Sequence, residues 1–138
     1  MIVYLDSSVL LRLVLGQRGK FKEWRAVREG VASALVEVEC LRTLDRLRLR
    51  GSISDHELSK RREATYRLLE EVEIVEPTRP ILARASLPPP TPIGTLDAIH
   101  LATAMLWRES STSDLVFATH DSALGIAARA SGFRVVGT

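Results

Sequence analysis

Short apolar runs that alternate with helix-like segments constrain this chain more than any other feature. Residues 2–5 (IVYL), 31–35 and 115–119 (LVFAT) are too short for helices, rich in apolar and β-branched residues, and bounded by turn signals. Each reads as a buried strand, and Glu73–Val75 and Arg134–Val136 read as two more. Between them lie helical patterns: Ser54 with Glu57 makes a capping box ahead of a helix to about Val72, and Pro80 suits the first turn of another. Asp121 is placed to cap a helix that Gly132 ends. Such alternation predicts an α/β fold, a mainly parallel sheet covered on both faces.

With 138 residues, 46% of them hydrophobic, the chain is expected to form a single domain over residues 1–138. The proline-rich stretch 87–92 is expected to be an ordered loop inside it rather than a linker. The one cysteine, Cys40, rules out an intramolecular disulfide and fits a reducing, cytoplasmic setting. Asp6 and Arg12 interrupt the apolar N-terminal stretch, which argues against a signal peptide or a membrane span. A net charge of +2 permits a nucleic-acid partner without requiring one. Arg42, Arg46 and Arg50 share a helix face with Glu39, where they would either guide phosphates or form a solvated surface. The aromatic residues are scattered and offer no platform for base stacking.

Four acids stand out by position: Asp6 after the first strand, Glu39 in a helix, Asp97 in the first turn of another, and Asp121 after the strand ending at Thr119. In parallel α/β sheets ligands collect beyond the carboxyl ends of strands, so Asp6 and Asp121 should face one rim. Asp97 should share a helical face with His100, Leu101 and Ala104. Periodicity does not choose between Glu37 and Glu39, which flank an apolar stripe of Val36, Cys40, Thr43, Leu44 and Leu47. Ionised carboxylates beside buried surface are costly unless a cation or a set of donors compensates them, so their convergence points to a metal site.

The segments IVYLDSSVLLRL, SALVEVECLRTL, TLDAIHLATA and LVFATHDSALGIAARASG, in that order, resemble the PIN-domain ribonucleases, most closely the compact VapC-type toxins of toxin–antitoxin pairs. The resemblance spans essentially the whole chain. It implies a three-layer α/β/α fold and metal-dependent cleavage of RNA, with Asp6, Glu39, Asp97 and Asp121 as catalytic, metal-holding acids, and it selects Glu39 over Glu37. It also implies Mg²⁺ or Mn²⁺ as cofactor, a VapB-type antitoxin as partner and a homodimer. The apolar positions of residues 21–28 and of the helix pair between Val36 and Val72 are where such contacts would lie. Hydroxyls at Ser8 and Thr119 would either orient the acids or their waters or serve the structure alone, and the family often has a hydroxyl residue two before its final acid, as Thr119 is before Asp121.

The chemistry suits those residues, because Mg²⁺ and Mn²⁺ prefer oxygen ligands and keep positions open for water and phosphate. In two-ion hydrolysis the ions sit about 3.5–4 Å apart and no His or Cys nucleophile is needed. Each acid also has a purely structural explanation: Asp6 and Asp121 as helix caps, Asp97 as a dipole partner, Glu39 as an ion pair with Arg42. His100, alone on an apolar helix, reads as a packed residue with one hydrogen bond. The rival of a different class is a non-catalytic PIN-like module that binds RNA or protein and tolerates loss of the acids. A phosphoacceptor receiver would want adjacent acids after the first strand, and haloacid-dehalogenase chemistry an acid where Ser8 stands, so both are disfavoured.

Overall fold

The computed structural model describes residues 1–17 and 21–138. Among them five strands, β1 (Ile2–Leu5), β2 (Glu29–Ser33), β3 (Val72–Val75), β4 (Leu115–Ala118) and β5 (Val135–Val136), form one sheet in the order β3-β2-β1-β4-β5. Every pairing is parallel. Six α-helices cover it: α1 (Ser7–Val14), α2 (Leu35–Leu49), α3 (Asp55–Glu70), α4 (Arg79–Ala85), α5 (Thr95–Ser110) and α6 (Ser122–Ala130). The fold is the three-layer α/β/α arrangement that the alternation of strands and helices predicts.

The run IVYL is continuous because a central parallel strand is buried on both faces. Ile2 and Tyr4 point into one core with Leu101 and Ala104 of α5 and Leu124 and Ala127 of α6. Val3 and Leu5 point into the other with Val9 and Leu10 of α1 and Val36 and Cys40 of α2. Phe21 is fully buried in this second core, with Trp24 and Val27 packed against it, so the apolar positions of residues 21–28 are largely absorbed by the fold. On the helix pair, Val38, Leu49 and Tyr66 do remain exposed.

β2 lies two residues earlier than residues 31–35. Its register against β1 pairs Ile2 with Glu29 and Tyr4 with Val31, and the Ser33 hydroxyl then accepts from the Leu35 N–H and turns the chain into α2. Ahead of α3 only half the capping box forms. Ser54 accepts from the Glu57 N–H, while the Glu57 carboxylate turns to Arg61 one helical turn on. That helix stops at Glu70 because Val72 is drawn into β3. Pro80 does stand in the first turn of α4, and residues 87–92 form no regular element. No described helix is long and apolar enough to cross a membrane.

The chain runs β1, β2, β3 toward one edge and then returns to place β4 and β5 on the other side of β1. The order therefore reverses between β1 and β4, the kind of switch point beyond whose strand ends such sheets bind ligands. Leu5 pairs with Ala118 at that point, and the Asp6 N–H continues the ladder to the Ala118 carbonyl.

The chain that follows β5 passes close to Thr119, beside this switch point, at Gly137. Its φ is +96°, and a Cβ there would lie 2.5 Å from the Thr119 carbonyl oxygen. Gly137→Ala is therefore expected to destabilise the protein by about 1–3 kcal/mol, through left-handed strain and a clash with backbone. Thermal unfolding checks this, and an unchanged Tm would show that the chain beyond β5 shifts freely.

Candidate active site

Asp6 is 4% exposed and held by donors from both sides of the switch point. Its Oδ1 accepts from the Ser7 N–H at 2.8 Å, and its Oδ2 accepts from the Ser8 hydroxyl at 2.7 Å and the Thr119 hydroxyl at 2.8 Å. Both hydroxyls accept a backbone N–H in turn, Ser8 from His120 and Thr119 from Asp121. An ionised carboxylate can only accept, so each hydroxyl directs its one proton at Asp6. Ser8 and Thr119 thus orient Asp6 and link the loop after β4 to α1.

Asp121 caps α6, its Oδ1 accepting from the Leu124 N–H at 3.0 Å. Gly132, at φ +85°, follows the end of that helix. Asp97 lies in the first turn of α5, behind an N-cap, Gly94, that has no side chain to offer. Among the described residues its carboxylate has no hydrogen-bonded partner, so it does not satisfy a free backbone donor as its position suggests. Partial burial, then the negative charges of Asp121 and Asp6, with Glu39 adding to them, push its pKa up to about 6 against the opposing pull of His100. Asp121, Asp6 and Glu39 are therefore each within electrostatic reach of Asp97. They are gathered without forming a closed chelate: among the described residues no three His, Cys, Asp or Glu side chains are set to enclose an ion.

Glu39 and Glu37 part company here. Glu37 is exposed, whereas Glu39 turns inward and its Oε1 lies 2.6 Å from His100 Nε2. Glu39 thus pairs with this imidazole rather than with Arg42. His100 is fully buried and makes two side-chain hydrogen bonds, the second from its Nδ1 to the Tyr4 hydroxyl at 2.7 Å. Its Nε2 is also 3.8 Å from Asp6 Oδ1. Burial disfavours the imidazolium, but the Glu39 hydrogen bond and the charges of Asp6, Glu39 and Asp97 outweigh it and raise the pKa. Tyr4, raised well above the phenol range by burial and then by Asp6, remains a neutral hydroxyl. Sequence reasoning missed Tyr4 altogether and gave His100 a single bond. The one local signal was the spacing of His100 three residues after Asp97, which sets both on one face of α5.

Cys40 adjoins the same acids, but burial, then Glu39 and Asp6, push its thiol up to about 12, so it supplies no thiolate nucleophile. Asp114 is exposed just before β4, at the opposite end of the sheet from the acids. Arg42 and Arg46 line a groove of about 300 Å³ with Glu39, Ser7, Val38 and Leu96, while Arg50, which caps the C-terminus of α2, lies outside it.

Residues 3–129 match the PIN domain, and the chain belongs to the PIN-domain family. It is similar to Ribonuclease VapC47 of Mycobacterium tuberculosis (strain CDC 1551 / Oshkosh), at 27% identity over 134 residues, covering 96% of this chain and 93% of that protein. Among solved structures it is similar in fold to PAE2754 from Pyrobaculum aerophilum, with a TM-score of 0.58 at 18% identity, covering 98% of this chain and 83% of the other.

Proposed function

We propose that this protein is a VapC-type endoribonuclease that hydrolyses RNA phosphodiester bonds with a divalent cation, Mg²⁺ or Mn²⁺, held by Asp6, Glu39, Asp97 and Asp121. The observation that carries this reading is the convergence of these carboxylates at the switch point, where partial burial and then the charges of Asp121, Asp6 and Glu39 lift Asp97 to about 6. The donor set fits a hard cation: it is all oxygen and net negative, and one member, Asp97, has no hydrogen-bond donor among the described residues to compensate it. A bound divalent ion would supply an activated water and charge stabilisation on the phosphate. Asp6, fixed by donors from Ser7, Ser8 and Thr119, is the rigid anchor of the set. Asp97 and Asp121 face it from the starts of α5 and α6, where the helix dipoles favour anions and oppose part of the repulsion. Deprotonated Asp97 is the form suited to the work.

The similarity to a ribonuclease supports RNA as the polymer. Arg42 and Arg46, beside Glu39 in the groove, would hold phosphates on either side of the bond to be cut, with Arg50 extending that track along α2. The same similarity supports a VapB-type antitoxin and a second copy of this chain as partners. The exposed Val38 and Leu96 on the groove would suit the apolar face of an inhibitory helix.

Purified protein is expected to cut labelled total RNA in Mn²⁺, to stop in EDTA and to resume on excess Mn²⁺. Cutting that persists in EDTA would overturn the dependence on an ion. Failure on every RNA class by folded, Mn²⁺-loaded protein would favour a non-catalytic module.

A further inference from the structure

Three polar groups in the core form a chain that the reaction does not itself require: the Tyr4 hydroxyl, the His100 imidazole and the Glu39 carboxylate. We propose that Tyr4 and His100 are positioning residues, a buried relay that holds Glu39 in register with Asp6. The proposal rests on the reading of Glu39 as one of the reaction's carboxylates.

The direction of the relay follows from donor and acceptor inventory. An ionised carboxylate only accepts, so His100 Nε2 carries the proton that it shares with Glu39 at 2.6 Å. In the neutral ring Nδ1 is then the acceptor, and the Tyr4 hydroxyl donates to it at 2.7 Å. In the imidazolium, which the surrounding carboxylates favour, Nδ1–H donates to the Tyr4 oxygen instead, so in either state Tyr4 holds the ring with its Nε2–H toward Glu39. The phenol is itself fixed, since Tyr4 is fully buried and stacks on Phe117 with ring centroids 5.0 Å apart.

What the relay supplies is registry between elements. Tyr4 lies on β1 two residues before Asp6, His100 lies on α5 three residues after Asp97, and Glu39 lies on α2. One imidazole therefore ties the helix that carries Glu39 to the strand that leads into Asp6, and its Nε2 is 3.8 Å from the Asp6 carboxylate. Glu39 has particular need of such a hold. It has three side-chain torsions, its side chain is 21% exposed, and it stands on a helix face rather than at a strand end. A freely rotating Glu would lose rotamer entropy on each engagement, and a fixed donor removes that loss beforehand.

The test compares Tyr4→Phe, His100→Leu, His100→Gln and Glu39→Gln by Mn²⁺ affinity in calorimetry and by RNA cleavage. Tyr4→Phe and His100→Leu are expected to weaken Mn²⁺ binding about 10- to 100-fold, the range for partners that orient a metal's carboxylate. His100→Gln, whose amide can still donate to Glu39, should retain more affinity than His100→Leu. In a Glu39→Gln background Tyr4→Phe should add nothing, because what it positions is gone. Equal, additive losses in both backgrounds would assign the relay a merely structural role and overturn the proposal. So would full Mn²⁺ affinity in Tyr4→Phe and His100→Leu beside a weakened Glu39→Gln, which would leave the role of Glu39 intact. If Glu39→Gln binds and cuts normally, that role falls and the relay with it. Should His100→Leu misfold, Tyr4→Phe, which deletes one oxygen from a stacked ring, still decides.

Discussion

Asp6→Asn is expected to reduce RNA cleavage by about 10³-fold or more while leaving a folded protein, since it removes one preorganised charge and almost no volume. The surroundings of Asp6 make the charge, rather than the shape, the thing lost. Ser8 and Thr119 each accept a backbone N–H and direct their remaining proton at Oδ2. An asparagine whose oxygen takes that place keeps both bonds but turns its amide toward the Ser7 N–H, which now meets a donor. An asparagine flipped the other way faces the two hydroxyl protons instead. The first orientation leaves one contact unmade and the second leaves two, each at a cost of about 1–3 kcal/mol, so the first is favoured. That cost should lower the Tm modestly, with secondary structure intact by circular dichroism. Cleavage undiminished in a folded Asp6→Asn protein would sink the assignment of Asp6 to the chemistry.

Some of this was legible in the sequence, and the boundary between legible and hidden is physical. β1 and β4 are visible because a strand buried on both faces leaves an unbroken apolar run. β2 was misplaced because Glu29 and Gly30 are poor strand formers, admitted only by their pairing with Ile2 and Val3. The rim location of Asp6 and Asp121 follows from the parallel topology alone, and both also cap the helices they precede, so capping signals and site signals coincide. Glu39 is different. Helical period placed it beside an apolar stripe no more clearly than Glu37, and only the resemblance chose it. Its inward partner, His100, is 61 residues away in sequence, and Tyr4 is a further 96 from His100. No local pattern encodes such a bond, because the fold, not the neighbouring chain, brings the atoms together.

Asp97→Asn should separate the cost of assembling the site from its use. The native pKa of Asp97, about 6, is above its ordinary 3.8, so the folded protein binds this proton more tightly than the unfolded chain does. Stability contributed at this position is therefore greatest at low pH and declines as pH rises through the interval between those values. Above it Asp97 is ionised while partly buried and among Asp121, Asp6 and Glu39, and the full cost of burial and repulsion is present. Asparagine cannot ionise, so the ion-free variant should be more stable than its parent at about pH 8, and the difference should vanish below about pH 4. A Tm gain of about 3–6 °C is the size expected if roughly 1 kcal/mol of this cost is relieved. The same variant should lose cleavage by about 10²–10³-fold, because the charge that destabilises the ion-free protein is the charge that stabilises a bound cation. In the parent, Mn²⁺ should raise the Tm strongly at pH 8 and progressively less as pH falls through about 6, where the ion must displace a proton from Asp97. Scanning calorimetry of both proteins across pH, with and without Mn²⁺, provides the check. A variant no more stable than its parent at high pH, or Mn²⁺ stabilisation that ignores pH, would mean that the four carboxylates do not act as one centre.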